Sequence, residues 1–361
     1  MPARKHTASR KRSPLSSKVQ TVLGPIAPQD LGITMTHEHL LIDLGCYFEP
    51  PEGATEREWV HAPLTVKRRG GIWRRGHVNL DQMRLWDERT AVEEVSRYAR
   101  VGGRAIVDTT SIGIGRDPLA LARISRATGL NIIMGAGHYV PVSYPPDMDA
   151  RSEESIAQGI VKDLTVSVGD TSVRAGVIGE IGLFWPMGDN ERKVLGASAH
   201  AQQETGAAIL IHPGFHPEAP LEIMRVLTAA GASPDRVIVG HLDYIHDMKA
   251  VRRLAETGCY LEYDTFGEED TSFNGTAPQP VIEPNDDQRI EKLEAVTSAG
   301  YLDRLLVAND VCMKAHLVRY GGKGYAHVLE NIVPRMRKRG WTQQQLDTIL
   351  IHNPARALTF A

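Results

Sequence analysis

The chain has 361 residues, of which 42% are hydrophobic and 24% are charged, and its formal net charge is -3. This composition is typical of a globular protein, and the length allows either two domains or one large barrel. The small net charge offers no electrostatic surface for nucleic acid, and no apolar run approaches the roughly 18 residues of a transmembrane helix. We therefore expect neither a nucleic-acid nor a membrane partner.

Cysteine usage indicates a reducing compartment. Cys46, Cys259 and Cys312 are odd in number, far apart and without CxxC spacing, so the sequence indicates neither a disulfide framework nor a zinc ribbon. The N-terminus lacks the apolar centre of a secretory signal. The sequence predicts a cytoplasmic protein.

Residues 1–18 are rich in arginine, lysine and serine and contain no acidic residue. Such a segment buries little apolar area, so we interpret it as a disordered basic arm. A transit peptide shares this composition, but Pro2 and Pro14 disfavour an amphipathic helix.

From Ile33 onward, short apolar or β-branched runs alternate with helical patterns. The runs predict strands over 33–39, 104–109, 131–135, 176–181, 208–212, 237–241, 259–264 and 305–310. Helices are predicted between them, including 90–100, 118–129, 190–206, 218–231 and 288–300. Several of these end on glycine, as helix C-caps do. Eight strands alternating with helices predict an α/β fold, a single (β/α)8 TIM barrel over residues 19–361.

A doubly wound nucleotide-binding sheet is the competing architecture. It would require a GxGxxG motif between a strand and a helix. Gly113 and Gly115 are followed by Pro118 where the third glycine should stand, so the barrel is preferred.

The segment from Cys46 to Leu85, after the first strand, is long for a loop in a compact domain. Loops of this length are commonly functional. We expect it to form a lid or wall beside the substrate, with a subunit contact as the alternative.

Ionisable side chains recur where the predicted strands end. His37 and His39 lie on one face of the first strand, because side chains alternate along a strand. The carboxyl ends of parallel barrel strands meet at the active-site face. Ligand-type residues at the ends of five strands therefore predict a metal site, and they are His37, His39, Glu180, His212, His241 and Asp310.

Five short motifs carry a family resemblance, and they are THEH, GVIGEIG, IHPG, VGHLD and AND. They resemble the phosphotriesterase family of the amidohydrolase superfamily, over nearly all of residues 18–361. Longer stretches, such as GCYLEYDTFG and RYGGKGYAHVLENIVPRM, are similar to the phosphotriesterase-related protein subgroup.

The resemblance implies a binuclear centre. His37, His39 and Asp310 would bind one divalent ion, and His212 and His241 a second. Glu180 would bridge the two ions, where many members of the family use a carboxylated lysine. We expect zinc, although manganese, cobalt and nickel suit the same ligands.

The implied activity is hydrolysis of a small acyl substrate by metal-activated hydroxide. An N-acyl amide, such as an N-acyl amino acid or amino-sulfonate, and a lactone or ester are the substrates expected. An aryldialkyl phosphotriesterase and a non-catalytic metal-binding barrel are the alternatives. Family relatives are often dimers, so a homodimer is compatible with the resemblance.

Three residues receive catalytic predictions. Asp310 is expected to transfer a proton to the leaving group. Asp243, two residues after His241, would relay that proton if the strand is extended, or else orient a histidine. Tyr139 corresponds to a tyrosine of lactonase-like relatives and would assist the reaction, or it only lines the pocket, as His138 could.

Other polar residues receive weaker predictions. Lys314, Arg319 and Lys323 would recognise an anionic substrate group or else be solvated. Glu262 and Asp264 are interpreted as polar groups of the barrel.

Overall fold

The structure is a computed structural model that describes residues 15–73, 76–269 and 283–361. Most of the predicted basic arm, residues 1–14, lies outside the described residues. Leu15 is buried, and the Ser17 backbone N–H donates to the Phe360 carbonyl at 2.9 Å. The described chain thus begins in contact with its own C-terminus. None of the helices in the described ranges has the length and apolarity to cross a membrane.

Eight parallel strands form the barrel. The strands of the described chain are β1 (Val19–Thr21), β2 (Gly24–Ile26), β3 (Thr34–Glu38), β4 (Ile42–Asp43), β5 (Arg84–Leu85), β6 (Ala105–Asp108), β7 (Asn131–Ala136), β8 (Val177–Gly182), β9 (Ile209–His212), β10 (Val237–Val239), β11 (Tyr260–Tyr263) and β12 (Leu305–Val307). The barrel order is β12-β11-β10-β9-β8-β7-β6-β3. The Asp310 backbone N–H donates to the His37 carbonyl at 3.2 Å, which joins the ends of β12 and β3. The predicted barrel is confirmed.

Helices lie between the strands of the described chain and after the last strand. They are α1 (Ala54–Arg57), α2 (Arg69–Trp73), α3 (Glu88–Arg100), α4 (Pro118–Thr128), α5 (Glu153–Thr165), α6 (Asp189–Thr205), α7 (Ala219–Ala229), α8 (Met248–Ala255), α9 (Asp286–Ser298), α10 (Val333–Lys338), α11 (Gln343–Asp347) and α12 (Asn353–Leu358). The five predicted helices are α3, α4, α6, α7 and α9, each within two residues of the expected bounds. Gly129 and Gly206 end α4 and α6 with φ of 72° and 77°, a left-handed conformation that glycine adopts without strain.

The β1–β2 hairpin, which the sequence patterns did not predict, is antiparallel and lies outside the eight-stranded sheet. Val19 of β1 belongs to a buried apolar cluster built from seven of the barrel strands. Leu31 and Leu358 extend the same cluster. The hairpin and the C-terminal helix therefore contribute to the core at the amino-terminal end of the barrel.

The long segment after β3 is held against the barrel. Ile42 in β4 pairs with Leu85 in β5, so a short antiparallel ribbon brings the two ends of the segment together. The Lys314 backbone N–H, after β12, donates to the Gln82 carbonyl at 2.9 Å. These contacts place the segment over the carboxyl-terminal face of the barrel.

Candidate metal centre and active-site cavity

Glu180 stands at the centre of the predicted ligands. Its Oε2 lies 3.2 Å from His212 Nδ1, 3.3 Å from His37 Nε2 and 3.8 Å from His241 Nε2. Its Oε1 lies 3.3 Å from His39 Nε2. One carboxylate therefore faces four imidazoles at the carboxyl ends of three other strands.

Asp310 joins the same cluster from the end of β12. Its Oδ1 lies 3.3 Å from His39 Nε2 and 4.0 Å from His37 Nε2. His37, His39 and Asp310 offer donor atoms within 4.8 Å of one another, and so do Glu180, His212 and His241. These two groups are the two ligand sets that the resemblance implied.

The potential metal-donor atoms of the cluster are poorly satisfied by hydrogen bonds, which favours metal ions as their partners. His37 Nε2, Glu180 Oε2 and Asp310 Oδ1 are buried without a hydrogen-bond partner. His241 Nε2 lies 2.7 Å from His212 Nδ1, and His241 uses its other ring nitrogen elsewhere. Buried polar atoms without partners are costly, and divalent cations between them would satisfy all of these atoms.

The opposite ring nitrogens of three histidines are held by partners. Asp264 accepts from His241 Nδ1 at 2.9 Å and lies 3.1 Å from His37 Nδ1. Glu262 Oε2 lies 3.2 Å from His37 Nδ1, and Thr110 Oγ1 lies 2.9 Å from His39 Nδ1. Such contacts orient an imidazole and leave Nε2 for a metal. Asp264 and Glu262 are thus more than barrel polar groups, and only their positions at the end of β11 hinted at this.

Glu38, between His37 and His39, positions the loop that carries Asp310. Its carboxylate accepts from the backbone N–H groups of Asn309 and Val311 at 2.8 and 2.9 Å, on both sides of Asp310. Asp310 has a φ of 48°, and His241 has a φ of 54°. Left-handed backbone costs a non-glycine residue on the order of 1–3 kcal/mol, so the surrounding contacts hold both ligands in place against local strain.

Electrostatics within the cluster favour ionised carboxylates. Burial raises the pKa of Glu180, but the positive charge of His37 and hydrogen bonds from His212 outweigh it, so that the pKa lies well below its ordinary value. Burial likewise opposes ionisation of Asp310, and contacts with His39 and His37 still lower its pKa. Anionic oxygen ligands suit divalent cations.

A cavity of about 780 Å³, including its open mouth, lies over the cluster. Tyr47, His77 and Gln82 from the long segment form part of its wall, which confirms the predicted wall. Phe215, Tyr244 and Glu268 come from the loops after β9, β10 and β11. The sequence patterns did not single out these three residues, because nothing local distinguishes a cavity-lining aromatic residue from a packed one. The remaining lining residues include His39, Tyr139, Glu180, His212, His241, Glu283, Asp310, Cys312, Met313 and His316.

Tyr139 reaches the metal-ligand cluster, whereas His138 does not. The Tyr139 hydroxyl lies 3.4 Å from His212 Nδ1 and lines the cavity. Burial and the nearby Tyr47 and Glu180 raise the pKa of Tyr139 well above its ordinary value, so that the phenol keeps its proton. His138 instead packs edge-on against Tyr144 and is absent from the cavity wall.

Asp243 is buried behind the cluster. The chain is not extended after His241, because His241 has a left-handed backbone and Leu242–Tyr244 form a 3-10 turn. The Asp243 carboxylate accepts from the Asp264 backbone N–H and from Arg289 Nε, both at 2.9 Å. The structure therefore brings Asp243 to Asp264, the partner of His241, and not to the cavity.

The three basic residues after β12 lie away from this cavity. Lys314 Nζ pairs with Asp81 at 2.6 Å, and Arg319 pairs with Glu93 at 3.3 Å. Lys323 lines an adjoining cavity beyond Glu268 and His316. None of them is positioned to bind an anionic substrate group beside the metal ligands.

Comparisons with known proteins agree with this site. The Phosphotriesterase family pattern matches residues 17–358. Proteins named N-acetyltaurine hydrolase from Tetraodon nigroviridis and Salmo salar are 41% and 42% identical, over 96% of this chain and 99% of theirs. A crystal structure described as a resiniferatoxin-binding protein from Rhodobacter sphaeroides has a TM-score of 0.92 and 35% identity, covering 97% of this chain and 98% of that one. The chain therefore belongs to the phosphotriesterase family of metal-dependent hydrolases.

Proposed function

We propose that this protein hydrolyses the carbon–nitrogen bond of a small N-acyl amide, with lactones and esters as alternative substrates at the same site. The observation that carries the proposal is the buried cluster in which one carboxylate, Glu180, faces four histidines beneath a cavity. The names of the relatives support an acyl amide, since N-acetyltaurine contains an acetyl–nitrogen bond.

Two divalent ions, preferably zinc, are proposed for the cluster. His37, His39 and Asp310 would hold one ion, and His212 and His241 the other, with Glu180 shared between them. When bound, the ions would supply Lewis-acid chemistry, because they would polarise the acyl carbonyl and lower the pKa of water so that hydroxide is available at neutral pH. Because Glu180 is a native carboxylate, it would be available as a ligand to both ions without carboxylation of a lysine.

Asp310 and Tyr139 are proposed to manage protons. The Asp310 carboxylate is ionised and faces the cavity, so it accepts a proton from the attacking water and returns it to the departing amine nitrogen. The Tyr139 hydroxyl, which keeps its proton, donates a hydrogen bond to the carbonyl oxygen of the substrate. Asp243 is proposed as a positioning residue that holds Asp264, and through it His241.

The test combines metal content with a substrate panel. Protein purified without chelator is assayed for metal per chain and then for hydrolysis of N-acyl amides, lactones and aryl phosphotriesters. We expect close to two ions and release of a carboxylate from an amide. Release of a phenol from the phosphotriester alone would identify the protein as an aryldialkyl phosphotriesterase instead. A metal-loaded protein that hydrolyses no compound of the panel would be a non-catalytic metal-binding protein.

The compartment and assembly state are secondary proposals. Cys46, Cys259 and Cys312 are all described, and none forms a disulfide, which is compatible with the proposed cytoplasmic location. A homodimer is proposed from the family resemblance, and the molar mass of the purified protein in solution tests it.

A further inference from the structure

We propose that Arg289 and Lys292 of α9 are positioning residues for one ion of the metal centre, the ion that His212 and His241 would hold. Both side chains hold the turn Leu242–Tyr244, which directly follows His241. We call this ion the second ion and the other one the first ion. The inference rests on the proposed binuclear centre and deepens it, because it makes the affinities of the two ions separately adjustable.

His241 needs support from outside its own turn. Its φ of 54° is left-handed, a conformation that is strained in a residue other than glycine. The turn adds two backbone hydrogen bonds, from the Tyr244 N–H to the His241 carbonyl at 3.2 Å and from the Ile245 N–H to the Leu242 carbonyl at 3.1 Å. Such strain persists only where surrounding contacts maintain it. The contacts around the turn therefore determine where the His241 imidazole lies.

Lys292 joins two carbonyl groups of this turn. Its Nζ donates to the Asp243 carbonyl and, at 3.2 Å, to the Ile245 carbonyl. An ammonium group has three donors, so it can bond to both carbonyls at once. Lys292 is partly buried, and hydrogen bonds from a charged donor are stronger than those between neutral groups. The ammonium therefore fixes the backbone within four residues of the metal ligand His241.

Arg289 holds the side chain of the same turn. Its guanidinium is fully buried, and its Nε donates to Asp243 Oδ1 at 2.9 Å. Its Nη2 donates to Thr265 Oγ1 at 3.0 Å, and its Nη1 donates to Asp286 Oδ1 at 3.3 Å. The other carboxylate oxygen of Asp243 accepts from the Asp264 backbone N–H at 2.9 Å. Because a guanidinium holds several donors in one plane, Arg289 ties the turn to the residues that follow β11.

The ligands of the first ion are positioned by a different set of contacts. Thr110 Oγ1 lies 2.9 Å from His39 Nδ1, and the Glu38 carboxylate holds the backbone on both sides of Asp310. Within the described residues, neither of the two α9 side chains donates a hydrogen bond to any of these groups. Loss of the α9 contacts should therefore act mainly on the second ion.

Asp264 connects the two sets of ligands. Its carboxylate lies 2.9 Å from His241 Nδ1 and 3.1 Å from His37 Nδ1, and Arg289 acts on Asp264 through the turn. Lys292 instead contacts only backbone carbonyls of the turn. We therefore expect a change at Lys292 to separate the two ions more sharply than a change at Arg289.

Zinc titration of metal-free protein, by calorimetry with a competing chelator, measures the effect. Lys292→Met removes the ammonium and keeps an unbranched side chain. We expect this variant to bind the second ion about tenfold or more weakly than the wild type, and the first ion within about twofold. The control is Lys193→Met, because Lys193 is also partly buried and its Nζ donates to a loop carbonyl, that of Met148, at 2.7 Å. The control should keep both affinities.

Two further variants assign each affinity to its ion. His39→Asn removes a ligand of the first ion, and His212→Asn removes a ligand of the second. Lys292→Met combined with His39→Asn should weaken binding of the remaining ion, whereas the combination with His212→Asn should not. Equal effects in the two combinations, or no effect in either, overturn the proposal.

Conservative variants distinguish positioning from a general loss of stability. Lys292→Arg keeps donors for the two carbonyls and should recover most of the lost affinity. Arg289→Lys keeps the buried charge but loses the planar set of donors, so it should weaken the second ion more than the first. If Lys292→Met does not fold, as circular dichroism of the metal-free protein would show, Arg289→Lys decides the proposal. Wild-type affinities for both ions in that variant overturn it.

The titrations also separate this inference from the proposed function. A wild-type protein that binds two ions but hydrolyses no compound of the substrate panel contradicts the proposed hydrolysis, and the titrations still decide the role of Lys292. A wild-type protein that hydrolyses an amide with a single bound ion keeps the activity and overturns the inference.

Discussion

The two ends of the barrel use the same strands for different purposes. Toward the amino-terminal end, residues such as Ala105, Val177 and Ala208 form a buried apolar cluster. At the carboxyl-terminal end the strands carry buried ionisable groups, with Glu180 and its histidines at the centre. Apolar burial stabilises the fold, whereas the ionisable groups need metal ions or substrate to be satisfied. The comparison predicts that stability and activity can be altered separately.

The largest effect on activity is expected from Glu180→Gln. The amide keeps the size of the side chain but removes the charge that faces His37 and His212. Loss of the shared ligand should lower bound metal and reduce kcat/KM at least about 100-fold. Metal analysis and kinetics measure both quantities, and full metal content with unchanged turnover would show that Glu180 is not a ligand.

A loss of stability without a loss of turnover is expected from Leu306→Ala. Leu306 is fully buried in the middle of β12, four residues before Asp310, and belongs to the same apolar cluster. The cavity left by the shorter side chain should lower the free energy of unfolding by about 2–5 kcal/mol. Denaturant titration measures this value. A fall in kcat at a temperature where the variant stays folded would mean that the two ends are coupled.

Asp264→Asn should weaken metal binding while leaving all six ligands in place. Asp264 holds the outer nitrogens of His37 and His241, and loss of such a partner typically costs about 10- to 100-fold in metal affinity or activity. Competition with a chelator gives the affinity. Asp235→Asn, on the surface 3-10 helix before β10, is the control, and equal affinities in the two variants would contradict the role of Asp264.

The smallest effect at neutral pH is expected from His138, at the edge of the site, because its contribution to stability appears only as the pH falls. Burial, with the charges of Arg151 and Arg116, lowers the pKa of His138 to about 4, whereas an exposed histidine has a pKa of about 6.5. The unfolded chain therefore binds more protons between these values, and stability falls as pH drops from about 6.5 to 4.

His138→Gln should remove this contribution, up to about 3 kcal/mol at the acidic end. Denaturant titrations of metal-free protein at pH 7 and pH 4.5 show how much the free energy of unfolding changes with pH in each protein. The exposed His61 supplies the control variant His61→Gln. If the stability of the wild type and of His138→Gln falls equally with pH, the prediction is wrong.

Much of the barrel was predictable because its signals are local. Apolar runs define the barrel strands, and Asp117 with Gly129 marks both ends of α4. The clustering of the candidate metal ligands was predictable for a related reason. Parallel strands of a barrel all present their carboxyl ends at one face, so residues distant in sequence but equal in strand position must converge.

Other features depended on backbone geometry that the residue types do not reveal. The proposed relay through Asp243 assumed an extended chain after His241, and the left-handed turn there directs Asp243 to Asp264 and Arg289 instead. The basic residues after β12 were expected near substrate because of their position in the chain. In the fold, Lys314 forms an ion pair with Asp81, which lies more than 200 residues earlier in the chain.

The amino-acid sequence by itself determined the barrel, its family and the ligand-type side chains that cluster at the strand ends, because periodicity and strand-end position are properties of the chain. Only the tertiary structure decided which groups orient those ligands and what surrounds the substrate. The cavity wall combines residues from the loops after several strands, such as Gln82, Phe215 and Glu268. Their proximity follows from how those loops pack together, and no local pattern encodes that packing.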